Sequence, residues 1–161
     1  FYRRAVSAQR PDGTFAAELG SFLRDTGQLP LAVECYRSAM SLGGGERPGF
    51  LLAYGRALNE LKAWELGEQL AQFAMRRFPA DGAFPLLLGE MRLEQERWQE
   101  AEPFLAQAAE LSPQSAEAYY GLGRAAVARG SRAEAARWFE HALAQDPYHH
   151  KAAQGLYDTL N

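Results

Sequence analysis

The sequence predicts an all-α fold, a solenoid built from antiparallel helix pairs. Three observations predict it. Small residues recur with a period of 34 positions, apolar residues recur at spacings of three and four within each period, and glycine or proline separates the periodic segments. Spacings of three and four mark one buried face of a helix, and a fixed period of this length is typical of stacked helical repeats.

The small residues occupy three places in every unit. The first place holds Gly20, Gly55, Gly89 and Gly123; the second holds Ala32, Gly67, Ala101 and Ala135; and the third holds Ala39, Ala74, Ala108 and Ala142. Where two helices cross, a larger side chain would hold their backbones apart, so a small one allows close packing. We expect Tyr36, Leu105 and Phe139 to pack beside these residues.

This register divides the chain in order. Residues 1–12 are expected to be the second helix of a truncated preceding repeat, and the repeats follow at 13–46, 48–81, 82–115 and 116–149. Residues 150–161 are expected to be a capping helix or the first helix of a further repeat. The whole of 1–161 is therefore predicted to be a single array.

The last unit shows how the helices are delimited. Residues 116–129 and 132–145 are apolar at helical spacing, and Gly130 between them can adopt the left-handed conformation that stops a helix. Ser115 is a predicted N-cap. In the third unit, Pro85 predicts a helix that begins near Phe84, and Pro103 predicts a kink or a late start in the second helix.

These positions resemble the tetratricopeptide repeat family, whose pattern is an aromatic or apolar residue, Leu-Gly, Ala, Phe, Ala and Pro over about 34 residues. The last unit matches most fully, at Tyr119, Leu122, Gly123, Ala135, Phe139, Ala142 and Pro147. The resemblance covers nearly the whole chain. It implies a right-handed superhelical α-solenoid that acts as a non-enzymatic scaffold and binds a protein or peptide partner in a concave groove.

The resemblance also implies which residues face that groove, because the first helix of each repeat lines it. The predicted partner-binding residues are Leu52, Arg56, Asn59, Leu86, Glu90, Leu93, Tyr120, Arg124 and Val127. Ala128 is expected to face the groove beside Val127, and the last helix adds Lys151, Gln154 and Asp158. The apolar members favour an amphipathic helix or an extended apolar peptide. The alternation Arg56, Glu90, Arg124 has two interpretations: ion pairs between repeats, or charges that set the register of a ligand.

Composition excludes several other classes of function. The net charge of −3 gives no basic excess for binding nucleic acid. The sequence also has no run of about 18 apolar residues, the length needed to cross a membrane. Two alternatives to peptide binding stay open: self-association through the terminal helices, and recruitment of substrate to an enzyme domain elsewhere in a longer protein. The chain begins with Phe1, which suggests an excerpt, and 15 arginines against two lysines suggest a GC-rich bacterium.

Several motifs with possible chemistry have simpler explanations. Gly121, Gly123 and Ala126 form the Gly-x-Gly-x-x-Ala of a dinucleotide loop, but they lie within a helical segment whose amides are already bonded. His141 and the pair His149-His150 lack the spacing of a zinc site. Cys35 is expected to be a packing thiol. We therefore expect no catalytic residue, no metal and no cofactor.

Overall fold

The computed structural model describes residues 13–43 and 47–161, and every regular element in this part of the chain is an α-helix. The helices are α1 Thr14–Asp25, α2 Leu29–Ser41, α3 Pro48–Glu60, α4 Trp64–Arg77, α5 Ala83–Glu94, α6 Trp98–Leu111, α7 Ala116–Ala128, α8 Arg132–Gln145 and α9 His150–Leu160. The all-α prediction is confirmed for these residues. The predicted helix over 1–12 lies outside them.

The same turn joins the two helices of each pair. Its second residue has a positive φ each time, at Gly27 (78°), Lys62 (56°), Glu96 (59°) and Gly130 (82°). The next residue donates its amide to a carbonyl five positions back, for example Ser131 to Ala126 at 2.9 Å and Arg97 to Arg92 at 2.8 Å. This is the hydrogen bond of the Schellman motif, which ends a helix and reverses the chain.

The chain divides into two compact units, residues 1–74 and 75–161. In the first unit, α1, α2 and α3 pack around Tyr36, which is fully buried. The Tyr36 ring lies 5.7 Å from the ring of Phe50 and 5.5 Å from that of Tyr54. A Cβ on Gly20 would lie 2.9 Å from the Tyr36 ring, so the glycine permits this contact.

In the second unit, two large side chains of the second helices each fill a space between two glycines. Added Cβ atoms on Gly89 and Gly121 would both approach Leu105 to 2.7 Å, and those on Gly123 and Gly155 would approach Phe139 to 2.4 and 2.7 Å. Real Cβ atoms do not come so close, so the first helices on both sides of each large side chain need glycine there. Gly121 and Gly123 of α7 thus make room for Leu105 of α6 and Phe139 of α8.

The other two small-residue places are buried in both units. The second place is buried at Ala32, Gly67, Ala101 and Ala135, and the third at Ala39, Ala74, Ala108 and Ala142. The large residues pack beside them as expected, since Tyr36, Leu105 and Phe139 are all nearly inaccessible to solvent.

The two prolines of the third unit are accommodated differently. Helix α5 begins at Ala83, close to the predicted start, and Pro85 lies in its first turn, where no amide is needed. Helix α6 begins at Trp98 and continues through Pro103, so of the two expected alternatives the late start is wrong and the kink stays a prediction. Its first turn is already closed before the proline, because Ala101 donates its amide to the Arg97 carbonyl at 3.0 Å.

Candidate functional site

A cleft of about 750 Å³ lies among α7, α8 and α9 in the second unit. Its lining comes from all three helices: Tyr120, Arg124, Val127, Ala128, Arg132, Phe139, His150, Lys151, Gln154, Gly155, Asp158 and Thr159. Seven of these residues were predicted to face the groove, namely Tyr120, Arg124, Val127, Ala128, Lys151, Gln154 and Asp158. The structure therefore brings together the predicted residues of the last unit and the last helix.

The floor of the cleft is apolar. The Tyr120 ring is half-buried and lies 5.9 Å from the ring of Phe139 and 5.1 Å from that of His149. Phe139 is only 2% exposed, and Gly155 packs directly against it, since an added Cβ there would lie 2.7 Å from the Phe139 ring. Val127 is 49% exposed on the same helix as Tyr120. Tyr120 and Val127 therefore supply the apolar surface that can receive a side chain of a ligand.

Charged groups surround this floor. Arg124 forms an ion pair with Glu94, with Nη2 3.0 Å from Oε1, and its guanidinium lies 6.0 Å from the centre of the Tyr120 ring. Asp158 accepts a hydrogen bond from Gln154 Nε2 at 2.7 Å. Arg132 and Lys151 are both exposed, and their side chains make no hydrogen bond or ion pair within residues 13–43 and 47–161.

The Arg124–Glu94 pair bears on the predicted alternation of charges. It joins α7 to α5, and a second pair, Arg129 Nη1 to Glu102 Oε1 at 3.2 Å, joins the end of α7 to α6. Arg124 thus takes part in an ion pair between repeats, as one interpretation expects. The carboxylate in this pair is that of Glu94, which lies one helical turn beyond the expected Glu90. Such exposed pairs contribute little stability individually.

A smaller cleft of about 400 Å³ lies beside the first and shares Arg124 and Ala128 with it. Its other lining residues are Leu93, Glu96 and Trp98. Leu93 is only 9% exposed and belongs to the core around Leu105, so it offers little surface to a partner. Leu86 is half-buried against the same core, and Glu90 is half-buried on the same helix. Leu86, Glu90 and Leu93 stay predictions as binding residues.

The remaining predicted residues lie on α3, in the first unit. Arg56 is exposed, whereas Leu52 and Asn59 are half-buried. The side-chain oxygen Oδ1 of Asn59 is buried and has no hydrogen-bond partner among the described residues. Their role in partner binding stays a prediction.

Sequence reasoning missed Arg132, His150 and Thr159 and did not assign Phe139 and Gly155 to the cleft. The expectation covered only selected faces of the first helices, whereas Arg132 begins the second helix α8. The signal for Phe139 and Gly155 was present in the small-residue register, where a large side chain faces a glycine. For Arg132 the sequence carries no comparable signal, because its position depends on how α8 meets α7.

The other candidate chemical groups have structural roles. Cys35 is buried, and desolvation raises the pKa of its thiol, which disfavours the reactive thiolate. His149 caps α9, since its Nδ1 accepts the amide of Ala152 at 3.1 Å. His141 stacks on Tyr119 and Trp138 at ring distances of 5.6 and 5.8 Å.

Within the described part of the chain, no three potential metal-ligating side chains come together. In that same part, none of the helices combines the length and the apolar character that a membrane crossing requires.

Comparison with solved structures places this fold among known helical repeats. MamA (residues 41 to the end) from Desulfovibrio magneticus RS-1 superposes with a TM-score of 0.77 at 19% identity, covering 94% of this chain and 85% of that one. YrrB, a TPR protein with an unusual peptide-binding site, gives 0.69 at 22% identity over 98% and 81% of the two chains. The Arabidopsis OM64 TPR domain gives 0.65 at 22% identity over 70% and 93%.

At these identities the likeness concerns the fold, and it confirms the predicted fold class of a helical-repeat solenoid. No curated protein matches the sequence. Two family models, both described as tetratricopeptide repeat, match residues 64–116 and 92–159 and so together cover more than half of the chain. The chain belongs to the tetratricopeptide repeat family.

Proposed function

We propose that this chain is a non-enzymatic scaffold that binds a peptide or helix of a partner protein in the cleft among α7, α8 and α9. The observation that carries the proposal is the combination of an apolar floor, formed by the half-buried Tyr120 and the half-exposed Val127, with flanking charges. A partially exposed floor of this kind is where a ligand side chain can be desolvated, and desolvated anchors supply most of the affinity of peptide interfaces.

The dimensions of the cleft support this proposal. A volume of about 750 Å³ lies within the usual range for ligand sites, and the cleft is open to solvent. Such an open site suits a segment of polypeptide better than an enclosed small molecule. The peptide-binding site of YrrB, a protein of the same fold, makes this use of the fold plausible for the present chain.

The test is binding of a peptide selected by phage display against the whole chain, measured by fluorescence anisotropy with Tyr120→Ala and Val127→Glu variants. We expect each variant to raise the Kd about tenfold, because each removes part of the apolar floor or places a charge on it. Tyr148→Ala is the matched control, since Tyr148 is 90% exposed outside the cleft, and its Kd should be unchanged.

Val127→Glu distinguishes a loss of binding from a loss of structure. Tyr120 packs on Phe139, so its truncation could loosen α7, whereas Val127 is half exposed and glutamate favours a helix. Circular dichroism should give both variants the helix content of the native chain. Unchanged affinity in both variants, with native helix content, would contradict the proposed site.

A second candidate function is self-association through α9. This helix carries two exposed apolar side chains near its end, Tyr157 at 64% and Leu160 at 69%. Isolated exposed apolar residues are common on protein surfaces, but two at neighbouring positions on one helix can form a contact between copies. Recruitment of a substrate for a catalytic domain would use the cleft itself and is a special case of the first proposal.

A further inference from the structure

The cleft carries an excess of positive charge on a protein that is acidic as a whole. Its lining contains Arg124, Arg132 and Lys151 but one carboxylate, Asp158, while the chain has a net charge of −3. Asp158 accepts a hydrogen bond from the neutral Gln154 and keeps its negative charge, whereas Arg124 is paired with Glu94. Arg132 and Lys151 are the cations that the cleft offers to a ligand, and together they outweigh Asp158.

Among the residues that the structure describes, two arginines near the cleft are paired, whereas Arg132 and Lys151 are not. Arg97 and Arg129, on the turns next to α6 and α8, each contact a glutamate of their own surroundings: Glu100 for Arg97, and Glu102 and Glu134 for Arg129. Arg132 and Lys151 have no such partner in the described part of the chain. Because both line one cleft, a ligand held there lies within reach of their charges.

We propose that the partner segment is acidic: it presents an apolar side chain to the Tyr120–Val127 floor and carboxylates to Arg132 and Lys151. This inference rests on the proposed function and specifies its ligand. The apolar floor favours a peptide over a nucleic acid, since a nucleic acid would leave that floor exposed while requiring a broader basic surface.

The helix directions give the spacing of the acidic groups. Short turns make α7 and α8 antiparallel, and likewise α8 and α9, so Lys151 lies towards the Tyr120 end of the cleft and Arg132 towards the Val127 end. The floor between them, from Tyr120 to Val127, spans seven helical steps and so rises about 10 Å along α7. An extended peptide crosses that length in about three residues, which predicts two acidic residues at least three positions apart with the apolar anchor between them.

The experiment uses labelled nonapeptides with a central Leu or Phe and two Glu residues three or four positions apart, and matched peptides with Gln in place of both Glu. Fluorescence anisotropy with the whole chain measures each Kd at low and at about physiological salt. We expect the acidic peptides to bind about three- to tenfold more tightly at low salt, because two partly exposed charge pairs each contribute modestly. The ratio should fall as salt is added.

The R132Q/K151Q double variant should bind the acidic and amide peptides with equal affinity and leave the affinity of the amide peptide unchanged. Both residues are exposed, so the fold should not be affected. Arg137→Gln is the matched control, since Arg137 is exposed on α8 outside the cleft lining, and it should retain the acidic preference.

Three results would overturn the inference. Equal affinity for acidic and amide peptides in the native chain would overturn it, as would an acidic preference that persists in R132Q/K151Q. Either result, with binding still weakened by Val127→Glu, would leave the proposed function intact. Failure of every peptide, including those selected by phage display, to bind would overturn the proposed function as well.

Discussion

Two side chains, Leu105 and Phe139, organise the second unit at the scale of single residues. Each extends from a second helix into a space that two glycines leave open, one in its own repeat and one in the following first helix. Phe139 is 2% exposed and Leu105 is fully buried, so neither can move away from an added methyl group. How well each glycine position tolerates a larger residue therefore depends on its distance to the side chain of Leu105 or Phe139.

We predict that Gly123→Ala destabilises the chain by about 1–3 kcal/mol, although alanine is the better helix former, because its Cβ would lie 2.4 Å from the Phe139 ring. The free energy of unfolding from urea titration measures this cost. Gly49→Ala is the matched control. Gly49 lies at the second position of α3 with no atom within 4 Å of an added Cβ, so the change should be neutral or stabilise by up to about 1 kcal/mol.

Loss of stability by both variants to the same extent would mean that glycine is needed for backbone reasons at both positions, and the packing explanation would be wrong.

At the scale of elements, the turn between paired helices is the same in every pair, although its residues differ. A left-handed residue is needed at its second position, and glycine provides it at Gly27 and Gly130. Lys62 and Glu96 adopt the same conformation against the preference of an L-residue, at a cost of about 1 kcal/mol each. The packing of the helix pairs and the hydrogen bond across the turn hold them there.

We predict that Glu96→Gly stabilises the chain by about 0.5–1 kcal/mol, because glycine adopts a positive φ without strain. Its mirror variant, Gly130→Ala, should destabilise by about 1 kcal/mol for the same reason. An added Cβ on Gly130 would meet no atom within 4 Å, so the loss would come from the backbone alone. Thermal and urea unfolding measure both, and a destabilised Glu96→Gly would show that the Glu96 side chain contributes more than its backbone costs.

For the whole molecule, the exposed end of α9 raises the question of oligomeric state. Tyr157 and Leu160 are exposed on α9, and Phe22 on α1 is exposed to a similar extent, at 62%. These side chains have comparable apolar areas but lie on different elements. A contact between copies that uses α9 should therefore depend on the first two and not on Phe22.

We predict that multi-angle light scattering over a concentration series detects association of the native chain, and that Tyr157→Lys together with Leu160→Lys suppresses it. Charged residues at an apolar contact would have to be desolvated, which disfavours association. Phe22→Lys is the control and should associate like the native chain. A monodisperse monomer at every concentration would remove self-association from the candidate functions.

Much of the fold was predictable because it depends on local periodicity. The spacing of small residues identified which positions are buried, and the helices over 116–128 and 132–145 begin and end where glycine and proline indicated. Whether α6 starts late or continues through Pro103 was not predictable, because the known free-energy cost of an interior proline refers to an isolated helix. In the structure the preceding turn is already formed at Ala101, and the packing of Leu105 and Ala101 stabilises the helix around the proline.

The candidate site was predictable in part. The repeat register, by resemblance to the family, placed Tyr120, Arg124 and Val127 with Lys151, Gln154 and Asp158, and these residues do line one cleft. The partner of Arg124 and the position of Arg132 were not predictable. Charged side chains on exposed surfaces produce no periodic pattern in the sequence, since many partners satisfy them about equally well.

The sequence by itself determined the all-α class, the helix pairs and the places where small residues allow helices to pack closely. Each follows from steric rules that act within short stretches of chain. Only the tertiary structure decided which charges are neutralised and which face the cleft. That outcome depends on distances between side chains of different helices, such as Arg124 to Glu94, and a difference of a few ångströms makes or breaks an ion pair without changing the pattern of the sequence.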